Sequence, residues 1–148
     1  MKAMDGIPVG VSGTKSVEVT REMTVAHFQE HMPAVYGTPI MIYHMEVAAA
    51  ELIQQYLPDG WVSVGVVVDV KHLAATPVGA TVTVHAKVLA TDSNTVTFEV
   101  EAHDGIDKIG EGMHVRAPVE IGRFLKRVEA KTQRMDEASL RKQSQSVV

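Results

Sequence analysis

The sequence contains no cysteine among its 148 residues. This absence excludes a disulfide-stabilised scaffold, a zinc site built from thiolates, an iron–sulfur cluster and a cysteine nucleophile. Positive charge is also scarce, because 14 lysines and arginines are set against 18 aspartates and glutamates, for a formal net charge of −4. A chain with this balance, whose basic residues are spread along its length, lacks the electrostatic footprint of a nucleic-acid-binding protein.

Long apolar runs are missing as well. No stretch reaches the roughly 18 residues that a membrane-spanning helix requires, and no secretory signal pattern opens the sequence. We therefore expect a soluble cytoplasmic protein without a membrane partner. The composition is 45% hydrophobic and 22% charged, which is ordinary for globular proteins and excludes wholesale disorder. The length suits a single domain spanning residues 1–148.

The clearest local pattern predicts one long helix. Thr38 and Pro39 suit an N-cap followed by proline at the first helical position, and residues 58–60 (Pro-Asp-Gly) end the segment after Leu57. Apolar residues recur at helical spacing, and the first half of the segment is apolar almost all round. We therefore expect this helix to be buried on most of its sides.

Five further segments are typical of β-strands, because they are rich in β-branched residues that partly alternate with polar ones. They comprise residues 16–21, 61–71, 80–91, 95–103 and 108–121. Short turn-forming segments separate the last four, so we expect these four to form an antiparallel meander of neighbours. Residues 1–15 are expected to form a loosely held arm, and residues 133–148 a frayed tail.

A long buried helix wrapped by an antiparallel sheet of about five strands corresponds to the hot-dog arrangement, which is an α+β fold. Such a sheet leaves an exposed edge, and hot-dog subunits, by analogy at the level of the fold, usually pair edge to edge. We therefore expect a homodimer or a dimer of dimers.

Two side chains do not suit a packing role. Glu46 lies in the most apolar part of the predicted helix, where a carboxylate must be paired, neutral or functional; alternatively it faces a cleft and caps a backbone group. His72 ends the most apolar strand just before a turn, where a histidine can titrate near neutral pH and reach a ligand. The alternative for His72 is a half-exposed surface histidine.

Two other residues interrupt the pattern of the strands. Gly65 lies inside a valine-rich strand, where glycine often marks a bulge or a close approach by a ligand. Arg116 is a cation in an otherwise apolar strand. The alternative to a functional role is an outward-facing, solvated side chain. The segment 27–31 matches an H-x-x-E-H zinc pattern, but Pro33 follows closely and no helix is predicted there. We therefore expect no metal site.

These residues form a constellation. Thr38 and Glu46 lie on the helix, and Gly65 precedes the segment His72-x-Ala-Ala-Thr-Pro-x-Gly. The segment Ala-His-Asp-Gly-Ile-Asp-x-Ile-Gly is followed by His114-x-Arg116. Over roughly residues 15–131, the chain in this respect resembles the fluoroacetyl-CoA thioesterase family of the hot-dog superfamily.

The resemblance implies an acyl-CoA thioesterase that needs no cofactor and hydrolyses a small or short acyl-CoA. In that family a Thr, a Glu and a His form the catalytic triad, and these match Thr38, Glu46 and His72. The family's active-site glycine and arginine match Gly65 and Arg116, which the resemblance implies are substrate-binding. Met32 stands where the family member that hydrolyses fluoroacetyl-CoA has a phenylalanine lid, so recognition of fluorine is not carried over.

The chemistry is consistent with these residue types. Thioester hydrolysis needs a nucleophile or activated water, a proton carrier and stabilisation of the oxyanion. Glu46 can act as a general base or attack directly to form a mixed anhydride, and both routes stay open. Two other functions remain: a non-catalytic acyl-CoA-binding module, and a hydratase of enoyl- or hydroxyacyl-thioesters. Hydratases of this fold pair an Asp with a His at the start of the helix, and residues 38–43 contain no Asp.

Overall fold

The computed structural model describes residues 3–146. Its strands are β1 (Ser12–Glu18), β2 (Trp61–His72), β3 (Thr81–Thr91), β4 (Val96–His103) and β5 (Lys108–Glu120). Its helices are α1 (Val25–Phe28), α2 (Thr38–Gln54) and α3 (Ile121–Ser146), with short 3₁₀ turns at Ala3–Gly6 and Arg21–Met23. The strands form one five-stranded antiparallel sheet that packs against α2. The α+β prediction is confirmed.

The order of the strands differs from the predicted meander. The sheet runs β1-β3-β4-β5-β2, so β2 pairs with β5 and is not a neighbour of β3. The segment 73–80 does not close a hairpin, because its backbone bonds elsewhere. Leu73 N–H donates to Ile109 O (2.7 Å), and Tyr36 N–H donates to Thr76 O (2.8 Å). The meander prediction is therefore wrong for β2, which becomes an edge strand.

The core lies between α2 and the sheet. Apolar side chains on one face of α2 are fully or almost fully buried, namely Met41, Met45, Ala48, Ala49, Leu52 and Ile53. They pack against the inner faces of β3 and β4, and each large side chain contributes about 1.5–3 kcal/mol through burial. At Gly110 on β5, a Cβ would lie 2.6 Å from the sulfur of Met41. Glycine therefore permits the close approach of α2 to β5.

The other face of α2 is not covered within the chain. Tyr43 is 58% exposed, and Glu46, Val47 and Ala50 are partly exposed. The expectation that α2 is buried on most sides is therefore wrong for a single copy. An apolar helix face next to an edge strand is a surface that a second copy could cover.

The ends of the elements also differ from the expectations. Gly37, and not Thr38, is the N-cap of α2, and the helix ends at Gln54. The expected loose arm is held, because β1 begins at Ser12 and Gly10 N–H donates to Val88 O (2.8 Å). Residues 133–146, expected to fray, continue α3, and their side chains are exposed through residue 145, whereas residues 1–2 and 147–148 lie outside the described residues. None of the helices described is long and apolar enough to cross a membrane.

Strand β2 contains a β-bulge. Gly65 pairs with Arg116 and Val67 pairs with Val115, so Val66 is an extra residue with no partner on β5. Bulges bend a strand and often lie next to functional sites. The glycine that the sequence marked therefore lies directly beside a bulge.

Candidate active site

Thr38 and His72 meet where the start of α2 approaches the end of β2. The Oγ1 of Thr38 lies 2.7 Å from Nδ1 of His72. Both residues line a cavity of about 340 Å³, together with Tyr36, Val35 and the segment 73–75. Burial lowers the pKa of His72, which favours the neutral imidazole. We call this pair the first half-site.

The second ring nitrogen of His72 differs from the first in its hydrogen bonding. Its Nε2 is buried and has no hydrogen-bond partner among the residues that the structure describes. Buried polar atoms in folded proteins are almost always bonded, so an orphaned one indicates a place for a ligand or a water molecule. When the Thr38 hydroxyl donates to Nδ1, neutral His72 carries its proton on Nε2 and can donate it to a bound molecule.

Glu46 lies in a different cluster, on the partly exposed face of α2. Its Oε1 is 3.7 Å from Nη1 of Arg116, a buried side chain on β5. A Cβ at Gly65 would overlap the same carboxylate oxygen, so only glycine leaves room for Glu46 there. We call Glu46, Gly65 and Arg116 the second half-site. It borders a smaller recess of about 200 Å³.

Arg116 is fixed from several sides. Its Nε–H donates to Ser63 Oγ (2.8 Å), one Nη–H to the Ser63 carbonyl (2.7 Å) and the other to His114 Nε2 (3.3 Å). His114 in turn donates from Nδ1 to the carbonyl of Val67 beside the bulge (2.8 Å). Burial lowers the pKa of His114, in agreement with a neutral ring that accepts from Arg116. The solvated alternative for Arg116 is wrong, because the residue is only 8% exposed.

One chain does not bring the predicted triad together. Thr38 is the first residue of α2 and Glu46 lies eight residues further along the same helix. Eight helical residues separate two positions by about 12 Å along the axis and about 80° around it. Met32 is 43% exposed and does not line the cavity of the first half-site.

Several residues of these clusters were not among the predicted site residues. His114 is part of the motif His114-x-Arg116 but was given no predicted role, although residues at that spacing share one face of a strand. Ser63 gives no comparable signal. Nor do Tyr36 and His44, whose buried side chains are hydrogen-bonded to each other. Among residues 3–146, no three His, Asp or Glu side chains are placed to hold a metal ion.

A family model described as fluoroacetyl-CoA-specific thioesterase matches residues 19–121. The chain belongs to this family. It is 37% identical to the fluoroacetyl-CoA thioesterase of Streptantibioticus cattleyicolor over 134 residues, which cover 86% of this chain and 96% of the relative. This membership confirms the predicted enzyme class, a thioester hydrolase.

Solved structures agree with the family assignment. A structure of a fluoroacetyl-CoA thioesterase matches with a TM-score of 0.81 at 36% identity, covering 86% of this chain and 98% of the other. A hot-dog-like protein from Thermanaerovibrio acidaminovorans matches with a TM-score of 0.81 at 27% identity, covering 88% and 97%. The predicted hot-dog fold is confirmed.

Proposed function

We propose that this thioesterase hydrolyses acyl-CoA thioesters with a small or short acyl group, releasing the free acid and CoA. The observation that carries the proposal is the contact between Thr38 and neutral His72, two residues that line a cavity of about 340 Å³, with Nε2 of His72 lacking a hydrogen-bond partner among the described residues. We further propose that the enzyme is cytoplasmic, forms one domain and needs no cofactor.

The catalytic site is, in this proposal, shared between two copies of the chain. Because Thr38 and Glu46 lie at separate levels of one helix, Glu46 can join the first half-site only from a second copy. Edge strand β2 is suited to pair with that copy, because Val66, Val67 and Val68 are 56%, 45% and 43% exposed. The uncovered face of α2 around Tyr43 borders the same edge.

We propose one register of β2 for this dimer. Antiparallel pairing of β2 with its own copy, about a two-fold axis between Val68 and Asp69, sets Gly65 of one copy opposite His72 of the other. Gly65 touches the Glu46 carboxylate. The axis therefore brings each second half-site next to the first half-site of the other copy.

In the combined site, Glu46 removes a proton from water while the water oxygen attacks the thioester carbonyl, or Glu46 attacks the carbonyl itself and water cleaves the resulting anhydride. The Nε2–H of His72 donates a hydrogen bond to the oxygen on which negative charge develops. In the first route the carbon–sulfur bond then breaks, and the proton held by Glu46 passes to the thiolate of CoA, directly or through His72. In the second route the carbon–sulfur bond breaks as the anhydride forms, and the thiolate takes its proton from the water that cleaves the anhydride. Thr38 keeps the His72 proton on Nε2.

In this scheme Arg116 and Gly65 act on the substrate indirectly, because they position Glu46. The guanidinium is already engaged by Ser63 and His114, so its remaining task is to orient the Glu46 carboxylate. Gly65 leaves the space that the carboxylate occupies. For Met32, a place at the substrate stays a prediction.

The substrate class is tested by measuring thiol release from a panel of acyl-CoA thioesters of increasing chain length. We expect the highest kcat/KM with the smallest acyl groups. Binding without thiol release from any member would contradict the proposal and favour an acyl-CoA-binding module. Fastest release from long-chain members would overturn the small-acyl assignment.

The shared site is tested by complementation. Copies carrying His72→Ala and copies carrying Glu46→Gln are co-expressed with different tags, and the mixed dimer is isolated. In a shared site, the mixed dimer has one intact site of two and regains about half of the wild-type rate. If each site lies within one chain, the mixed dimer contains no intact site and stays inactive.

A further inference from the structure

Tyr36 and His44 form a buried hydrogen-bonded pair next to the first half-site. Tyr36 is 1% exposed and His44 is 6% exposed. The Tyr36 hydroxyl is hydrogen-bonded to Nδ1 of His44, which accepts when the ring carries its proton on Nε2, and the two rings stack with centroids 5.8 Å apart and planes 10° apart. Burial lowers the pKa of His44, which favours the neutral ring that such an acceptor requires.

The same tyrosine touches His72. The two rings meet edge to face, with centroids 6.4 Å apart and an angle of 85° between their planes. This distance lies within the range of about 4.5–7 Å in which aromatic rings attract each other. Tyr36 also binds the loop that follows His72, since its N–H donates to the Thr76 carbonyl (2.8 Å). Thr38 therefore holds one nitrogen of the His72 ring, and Tyr36 holds the side of that ring.

Stability alone does not require polar groups at these positions. Replacing both partners of a buried hydrogen bond by apolar groups of similar shape is nearly neutral, whereas removing only one leaves an unpaired group that costs about 1–3 kcal/mol. A phenylalanine and a leucine would pack here without any hydrogen bond. What the bond adds is a fixed position for the Tyr36 ring, which forms part of the cavity wall.

We propose that the Tyr36–His44 hydrogen bond positions the His72 ring for the reaction. The inference rests on the proposed function of His72 and deepens it. Tyr36 and His44 touch no reacting atom in this scheme, so they are positioning residues. The hydrogen bond fixes the Tyr36 ring, the ring fixes the rotation of His72, and the rotation aims Nε2 at the bound thioester.

The kinetic test separates positioning from packing. Tyr36→Phe removes only the hydroxyl, and we expect kcat to fall about three- to tenfold, the equivalent of one hydrogen bond, with KM changed less than twofold. The melting temperature should also fall, because His44 loses its partner. The double variant Tyr36→Phe/His44→Leu should regain the melting temperature while kcat stays low. Recovery of kcat together with stability would show a purely structural pair and overturn the proposal.

Two further variants complete the kinetic test. His44→Asn keeps an acceptor near the position of Nδ1, and we expect kcat close to that of the wild type. Tyr56→Phe removes a hydroxyl from a half-buried tyrosine beyond the far end of α2 and should leave kcat unchanged. A loss for His44→Asn as large as for Tyr36→Phe would argue against the hydrogen bond as the cause.

A measurement without substrate distinguishes this inference from the proposed function. The NMR signal of the His72 ring is followed in the wild type, Tyr36→Phe and Tyr56→Phe. We expect a shift or broadening of that signal only in Tyr36→Phe. An unchanged His72 signal in Tyr36→Phe would overturn the positioning role, whatever the activity. A wild type that hydrolyses no thioester would instead overturn the proposed function.

Discussion

The two half-sites are held in different ways. The first consists of two neutral side chains joined by one hydrogen bond of 2.7 Å, and one nitrogen of His72 remains free. The second is ionic, and its arginine is engaged by a serine, a histidine and a carboxylate. The imidazole of His72, which has an unpaired nitrogen and lines a cavity, can bind a ligand. The guanidinium of Arg116 is already bonded to its neighbours and can only hold them in place.

The difference indicates a division of work. The second half-site holds the Glu46 carboxylate in a defined position, because Arg116 cannot move without losing several contacts. The first half-site offers a donor to whatever enters the cavity. Neither contains both a base and a free donor, and this is the physical reason to expect a site shared between two copies of the chain.

The largest losses of activity should follow from replacing the central residue of each half-site. Glu46→Gln and His72→Ala should each lower kcat by roughly 100-fold or more, because each removes a proton carrier or a donor used in the transition state. Thiol release and melting temperature are measured on the same preparations. Glu51→Gln is the matched control, since Glu51 lies on α2 but pairs with Lys15 at the surface (3.1 Å). Full activity in Glu46→Gln would return this residue to a structural role.

Gly65→Ala tests whether the second half-site depends on space. The added Cβ would overlap the Glu46 carboxylate and displace it. A displacement of about 1 Å can cost up to about 100-fold, so we expect kcat to fall roughly ten- to a hundredfold with the fold intact. In a Glu46→Gln background the same change should cost little more, because the two act on one group. Additive losses would show that Gly65 has a separate task.

Thr38→Val tests the hydrogen bond of the first half-site. The substitution keeps the shape and removes the hydroxyl that bonds to His72, and we expect kcat to fall about tenfold, the equivalent of one hydrogen bond. Thr38→Ser retains the hydroxyl and should keep most of the activity. Equal losses in both variants would mean that the methyl group, and not the hydrogen bond, is what matters.

Acid should weaken both half-sites, since His72 belongs to the first and His114 contacts Arg116 of the second. Burial lowers the pKa values of His72 and His114 in the folded state, whereas unfolded histidines titrate near about 6.5. Below that pH the unfolded chain binds more protons, so the free energy of unfolding is highest above about pH 6.5 and falls as the pH falls. Urea unfolding at several pH values measures this. His72→Asn and His114→Asn should each reduce the slope, and an unchanged slope in both would contradict the assignment.

Much of the fold could be predicted from local patterns. The strands β3 and β4 begin one residue from their predicted starts, because apolar and polar residues alternate clearly along them. The place of β2 could not be predicted, since it depends on where the backbone of residues 73–76 finds partners, at Ile109 and Tyr36. Local sequence does not contain that information.

The candidate site was predictable to a different extent. Glu46 and His72 could be singled out because their chemistry conflicts with their apolar surroundings. The contact of Tyr36 with His44 could not, because a tyrosine and a histidine in an apolar segment are ordinary and their partnership depends on the geometry around Gly37. Contacts that bridge separate elements carry no local pattern.

The bulge at Val66 decides which residues face α2. Gly65 and His72 lie seven positions apart, an odd number, so an uninterrupted strand would direct them to opposite sides of the sheet. Both nevertheless face α2, where Gly65 meets Glu46 and His72 meets Thr38. Because Val66 is an extra residue outside the pairing, Gly65 and His72 are effectively six positions apart, and both lie on the same side of the sheet. A regular strand of the same sequence, in which Val66 was paired and the bulge was lost, would keep every functional side chain and turn one of the two half-sites away from the helix.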